Sequence, residues 1–188
     1  MRFHGPLGRS DLSRAIFVSA AFFLLFWFSV LFLPGSKTEY HEFDYASLLY
    51  LPHGVRVIAA WLYGWRSVLY LAPGSYLVHF TRIEEHPDLW SWSELLMPVV
   101  GITCVAMTFE VVARLGADLR LRSGWVAPWR GVLRVGALGS LINAVGSNLI
   151  VQNPVNVMLG FLIGDVAGMI MLFLILMFVF SGLRRAGF

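Results

Sequence analysis

Apolar residues in this chain come in long runs, and the charges collect between the runs. Ala15 to Leu33 carries no charge and, at about 19 residues, is long enough to span the roughly 30 Å of bilayer hydrocarbon as a helix. The run is too long for a signal-peptide core, and Pro34-Gly35-Ser36-Lys37 is a poor cleavage site, so it predicts a first membrane helix. Two shorter runs follow, Ala46 to Tyr63 and Arg66 to Thr81, with only Gly64-Trp65 between them. Three more runs cover Glu94 to Arg114, Gly131 to Val151 and Val155 to Gly182. The pattern predicts an all-α integral membrane protein, one polytopic domain over residues 1–188 with six transmembrane helices.

The second and third runs differ from the others. Leu51 to Gly74 is apolar, yet it holds His53 and Arg56, and Pro52, Gly54, Gly64 and Pro73-Gly74 interrupt it. An arginine at membrane depth costs about 2.5–3.5 kcal/mol on insertion scales, so such a residue faces a partner or a cavity. Short hydrophobic pieces broken by Gly and Pro are the pattern of helices that line binding sites. A broken or short helical hairpin, packed inside the bundle, is therefore expected for helices two and three.

Composition agrees with the pattern. The chain is 58% hydrophobic and 13% charged, against about 45–50% and about 25% in soluble domains. The net charge of +3 does not point to a nucleic-acid partner, because the basic residues flank hydrophobic runs, where lipid headgroups and insertion rules account for them. With six crossings, one side receives Arg2, Arg9, Arg14, Arg66, Arg114, Arg120, Arg122, Arg130, Arg134, Arg184 and Arg185, and the other only Lys37 and Arg82. Basic loops stay cytoplasmic. The expectation is a multi-pass protein of the bacterial cell inner membrane with both termini cytoplasmic. Cys104 is the one cysteine, so no intramolecular disulfide or cysteine metal cluster can form.

Few residues carry candidate chemistry. No phosphate-binding loop, nucleophile elbow or zinc-protease motif is present, so a non-enzymatic protein without catalytic residues is expected. Arg56 and Asp165 lie at similar depths from the outer ends of their helices and are expected to pair, as a structural ion pair or as a ligand site. His53 sits one turn before Arg56 on the same face. No cofactor is expected from any motif; His53 and His79 are the two side chains suited to haem or another metal. Asn153 and Asn156, with Asn143 and Asn148 upstream, read as turn and cap residues or as one wall of a polar pocket. Glu110 and Arg114, four residues apart, read as a structural pair.

The stretch Leu51-Pro52-His53-Gly54 through Trp61-Leu62-Tyr63-Gly64-Trp65-Arg66, with Pro73-Gly74, resembles the Pro-x-Gly helix and Gly-Arg turn of bacterial membrane-associated sensor domains. These are multi-helix modules found ahead of histidine kinases and diguanylate cyclases. Phe161 to Ala167, with Gly164-Asp165 and Gly168, looks like the Gly-Asp-x-x-Gly helix of that family. The chain departs from the family in having six predicted helices where eight are usual, and is expected to lack an output domain after Phe188. The resemblance implies a sensory or ligand-binding module, with a small-molecule ligand, that signals through a membrane protein partner or as a homo-oligomer in the lipid bilayer. Two other readings suit the residues: an accessory or assembly subunit of a respiratory or photosynthetic membrane complex, and a small-solute transporter or its substrate-binding membrane subunit.

Overall fold

A computed structural model describes residues 8–32, 49–83, 91–121, 128–152 and 154–187. The described residues form six helices and no strand: α1 (Arg9–Phe32), α2 (Leu51–Tyr63), α3 (Arg66–Ile83), α4 (Trp92–Arg114), α5 (Trp129–Val151) and α6 (Val155–Arg185). Each coincides with one apolar run. Helix α1 starts at Arg9, ahead of the expected Ala15. The Asp11 carboxylate reaches back to accept the Gly8 N–H at 2.9 Å, half of a capping box, and so fixes a polar first turn that hydropathy alone does not register. Helix α2 carries Pro52 in its first turn, where the missing N–H costs no hydrogen bond.

Consecutive helices run in opposite directions. The start of α1 meets the α2–α3 turn through Asp11 and Arg66, 3.2 Å apart, and its far half meets Tyr50 through Phe26. In α5 and α6, Gly136 faces Met169 while Ser140 faces Leu162, an antiparallel register. Helices α1 and α3 are parallel, as are α2 and α6. The described ends of the chain therefore lie at one end of the bundle, with the α2–α3 turn.

Helix α2 is the inner element. It contacts all five other helices, and nine of its 13 residues are buried. Phe22, Leu51, Tyr70 and Leu71 form the core on one side of it; Val57, Val105, Phe109, Val135 and Met169 form the core on the other. Helix α3 is less enclosed and turns Leu69, Leu77 and Phe80 outward. The expected break at Pro73-Gly74 does not occur, and α3 runs through it to Ile83. Proline removes one helical donor, but α1 braces the next rung. The Ser19 hydroxyl accepts the Gly74 N–H at 3.0 Å and donates to the Tyr70 carbonyl at 2.7 Å. Gly74 makes this approach possible, since a Cβ there would lie 2.5 Å from the Ser19 carbonyl oxygen.

The outer surface is apolar along most of its length, with Phe17, Leu24, Leu31, Leu149 and Phe178 exposed. Four helices, α1, α4, α5 and α6, are long and apolar enough to cross a membrane. Helices α2 and α3, at 13 and 18 residues, are the two short ones.

Candidate ligand-binding site

A cavity of about 310 Å³ lies in the half of the bundle away from the chain ends. All six helices or their first caps contribute to its lining. Phe22 and Phe26 come from α1, Tyr50 and Arg56 from the start of α2, and Ser75, Val78, His79 and Arg82 from the second half of α3. Helix α4 adds Met97, Pro98 and Gly101; α5 adds Asn143 and Ser147; α6 adds Val157, Phe161 and Asp165. The antiparallel order explains this convergence, because it gathers the ends of α1, α3 and α5 and the starts of α2, α4 and α6.

Arg56 is 7% exposed, and its Nε makes no hydrogen bond. Its guanidinium carbon lies 5.3 Å from the centroid of the Phe22 ring and 5.4 Å from that of Tyr50, within cation–π range of both. Across from it, α4 presents Gly101, where a Cβ would sit 2.6 Å from Nη2. Any side chain larger than hydrogen would thus occupy the space of the guanidinium. Cys104, one turn further along α4, is buried and donates to the Gly101 carbonyl at 3.2 Å.

The expected pair of Arg56 and Asp165 does not form as an ion pair. Both line the cavity, but no Arg56 nitrogen lies within 4 Å of the carboxylate among the contacts of the described residues. Asp165, 2% exposed, is held by α5 instead. Its Oδ2 accepts the Asn143 amide at 3.0 Å and the Ser140 hydroxyl at 3.3 Å. The reason is reach: α5 packs directly along α6 and offers two donors one turn apart, whereas the Arg56 side chain extends between α1 and α4.

His53 is fully buried and lies outside the cavity lining. Its Nε2 stands 3.1 Å from the Gly136 carbonyl, and Nδ1 stands 3.4 Å from Asp165 Oδ2 without the alignment of a hydrogen bond. An imidazole that donates from Nε2 to the carbonyl places Nδ1 beside the carboxylate. His79 lines the cavity. Among the described residues no group of three or more His, Cys, Asp or Glu side chains comes together as a metal site. Asn153 lies outside the described residues. Asn156 is exposed in the first turn of α6 and does not reach the cavity; its neighbour Val157 turns inward, so the helical rotation carries Asn156 out. Glu110 and Arg114 pair at 3.2 Å, and Arg120 joins them, 2.8 Å from both Glu110 and Asp118. This network is far along α4 from the cavity.

Several lining residues carried no warning in the sequence. Phe22, Tyr50 and Gly101 are ordinary members of apolar runs or their borders, and only the packing gives them a role. Arg82 had a weak signal as the one arginine on the sparsely basic side. It lines the cavity with its guanidinium carbon 6.0 Å from the Phe26 ring centroid. Comparison of the chain with protein-family models, with characterised proteins and with solved structures finds no match.

Proposed function

We propose that the protein is a non-enzymatic sensory or ligand-binding module of the bacterial inner membrane, acting through a partner protein. In this reading all six helices cross the bilayer, both termini are cytoplasmic, and the cavity opens in the outer half. The observation that carries it is the cavity itself. At about 310 Å³ it lies at the small end of the about 300–1,000 Å³ typical of small-molecule sites. A molecule held there touches every helix of the bundle, so its binding energy bears on the whole arrangement of helices, as a ligand must to shift a population. The resemblance of Gly164-Asp165 and Gly168 to a sensor-domain helix points the same way.

Native mass spectrometry of protein purified in mild detergent tests this. The expected result is a small bound species, released on activation, on protein that carries no stoichiometric subunits. A stable set of co-purified subunits around an empty cavity would favour the accessory-subunit reading. Uptake of the bound species by proteoliposomes would favour the transport reading.

A further inference from the structure

We infer that the cavity takes a small organic anion, a single oxyanion group on a flat apolar body, with Arg56 as the residue that receives the charge. This rests on the ligand-binding reading and names the chemical class of the ligand.

Arg56 is a buried cation with no carboxylate of the described residues within ion-pair distance. Removing such a charge from water is costly unless a counter-charge or hydrogen bonds replace the water. The Asp165 carboxylate, the one in the cavity wall among the described residues, is committed to Asn143 and Ser140. Among the described residues of the lining, Arg56 is the one whose buried Nε has no hydrogen-bond partner, and the match is to an anion.

The surroundings refine the choice. The rings of Phe22 and Tyr50 lie close to the guanidinium, and Gly101 holds α4 against it. A planar guanidinium held in this way offers a fork of N–H donors that fits a carboxylate or phosphate in two places at once. Ser75, Ser147 and Asn143 add polar groups to the lining, and Phe26, Phe161, Val78, Met97 and Val157 supply an apolar, partly aromatic wall for the rest of the molecule. A free aromatic acid and the headgroup of an anionic phospholipid share the oxyanion.

The test uses purified full-length protein and four probes of one shape: benzoate, phenyl phosphate, benzamide and benzylamine, with binding read by calorimetry and by thermal shift. Benzoate or phenyl phosphate is expected to bind and raise Tm, while the neutral amide and the amine do not. Arg56→Gln, checked for a monodisperse elution profile and helical circular dichroism, is expected to lose about ten- to a hundredfold in anion affinity, the worth of a hydrogen bond to a charged group. Gly101→Ala, which crowds the guanidinium without removing it, is expected to weaken the same probe. Phospholipid analysis of the purified protein separates the sources. Retained phosphatidylglycerol that competes with benzoate identifies a headgroup, and benzoate binding to phospholipid-free protein identifies a free acid; either supports the inference. Benzamide binding as tightly as benzoate, or a folded Arg56→Gln protein that keeps its benzoate affinity, overturns it. Should Arg56→Gln not fold, the comparison of benzoate with benzamide on the wild type decides alone. Preferential binding of benzylamine or benzamide ends the anion inference and leaves the ligand-binding reading standing, whereas no binding by any probe and no co-purified small molecule removes both.

Discussion

Asp165 and Arg56 share a cavity wall and hold different partners. The sequence places both at one depth, because depth follows from counting residues along a helix of fixed rise. It does not say which way a flexible side chain extends. Asn143 and Ser140, three positions apart on α5, present donors to the carboxylate, and that arrangement depends on the α5–α6 register. Asn143 appears in the sequence within a run of amides, but nothing there distinguishes it from Asn156, which ends outside. Removing one partner of a buried, charge-bearing hydrogen bond costs about 1.5–3 kcal/mol. Asp165→Ala and Asn143→Ala are therefore expected each to destabilise the protein and to be clearly non-additive in a double-mutant cycle, measured by unfolding in mixed micelles. Arg56→Ala combined with Asp165→Ala is expected to show the smaller coupling of the two pairs. The opposite ranking would mean that the carboxylate belongs to the arginine.

The six elements were legible because each is a mostly apolar run bounded by charged or turn residues, and in four of them the run is long and apolar enough to cross a membrane. Their ends were less so, as α1 shows by extending through Asp11 to Arg9. Pro73 was misleading for a physical reason. A proline in a helix in lipid is tolerated where a neighbouring helix or a hydroxyl restores the backbone hydrogen bonding, and the hydroxyl of Ser19 lies 51 residues away from Tyr70 in the chain. The same two helices are tied at their other end, where Asp11 accepts from the Tyr70 hydroxyl and from Arg66. This gives two changes of different kind. Ser19→Ala is expected to lower stability by about 2 kcal/mol, the net worth of the two hydrogen bonds its hydroxyl makes. Gly74→Val forces side-chain atoms into the backbone of α1 and is expected to cost about 1–3 kcal/mol or more through overpacking. Thermal unfolding in detergent compares them, and a Gly74→Val protein as stable as wild type would show that α1 and α3 do not pack this closely.

In the whole molecule, the division of charge matches the division of space. Arg9, Arg14, Arg66, Arg114, Arg120, Arg130, Arg134, Arg184 and Arg185 lie towards the end of the bundle that holds the described chain ends, and Arg82 lies towards the other, beside the cavity. The antiparallel order of six helices is what permits that separation. Hydropathy marks four of them as spans; the crossings of α2 and α3 are inferred from charge and from their place between α1 and α4. Reporter fusions after Arg122 and after Gln152 are expected to report opposite sides of the membrane, cytoplasmic and external respectively. An external signal from the Arg122 fusion would overturn the orientation, and with it an outward-facing cavity.

The enclosure of α2 by five neighbours also sets an order of assembly. Helix α2 is made early and α6 last of the six, yet α6 covers a long face of it: a Cβ on Gly168 would fall 2.2 Å from the backbone carbonyl of Tyr50, and one on Gly54 would fall 2.8 Å from the Leu172 side chain. At about 5–20 residues per second of synthesis, seconds pass between the making of α2 and that of α5 and α6, which cover His53 through Gly136 and Asp165. An isolated segment of 13 residues with a charge near its centre is a poor spanning helix. It follows that α2 settles only as the late helices close around it. The enclosure of α2 is thus completed only once α6 is made, and the cavity, to which α6 contributes Val157, Phe161 and Asp165, is among the last features to form.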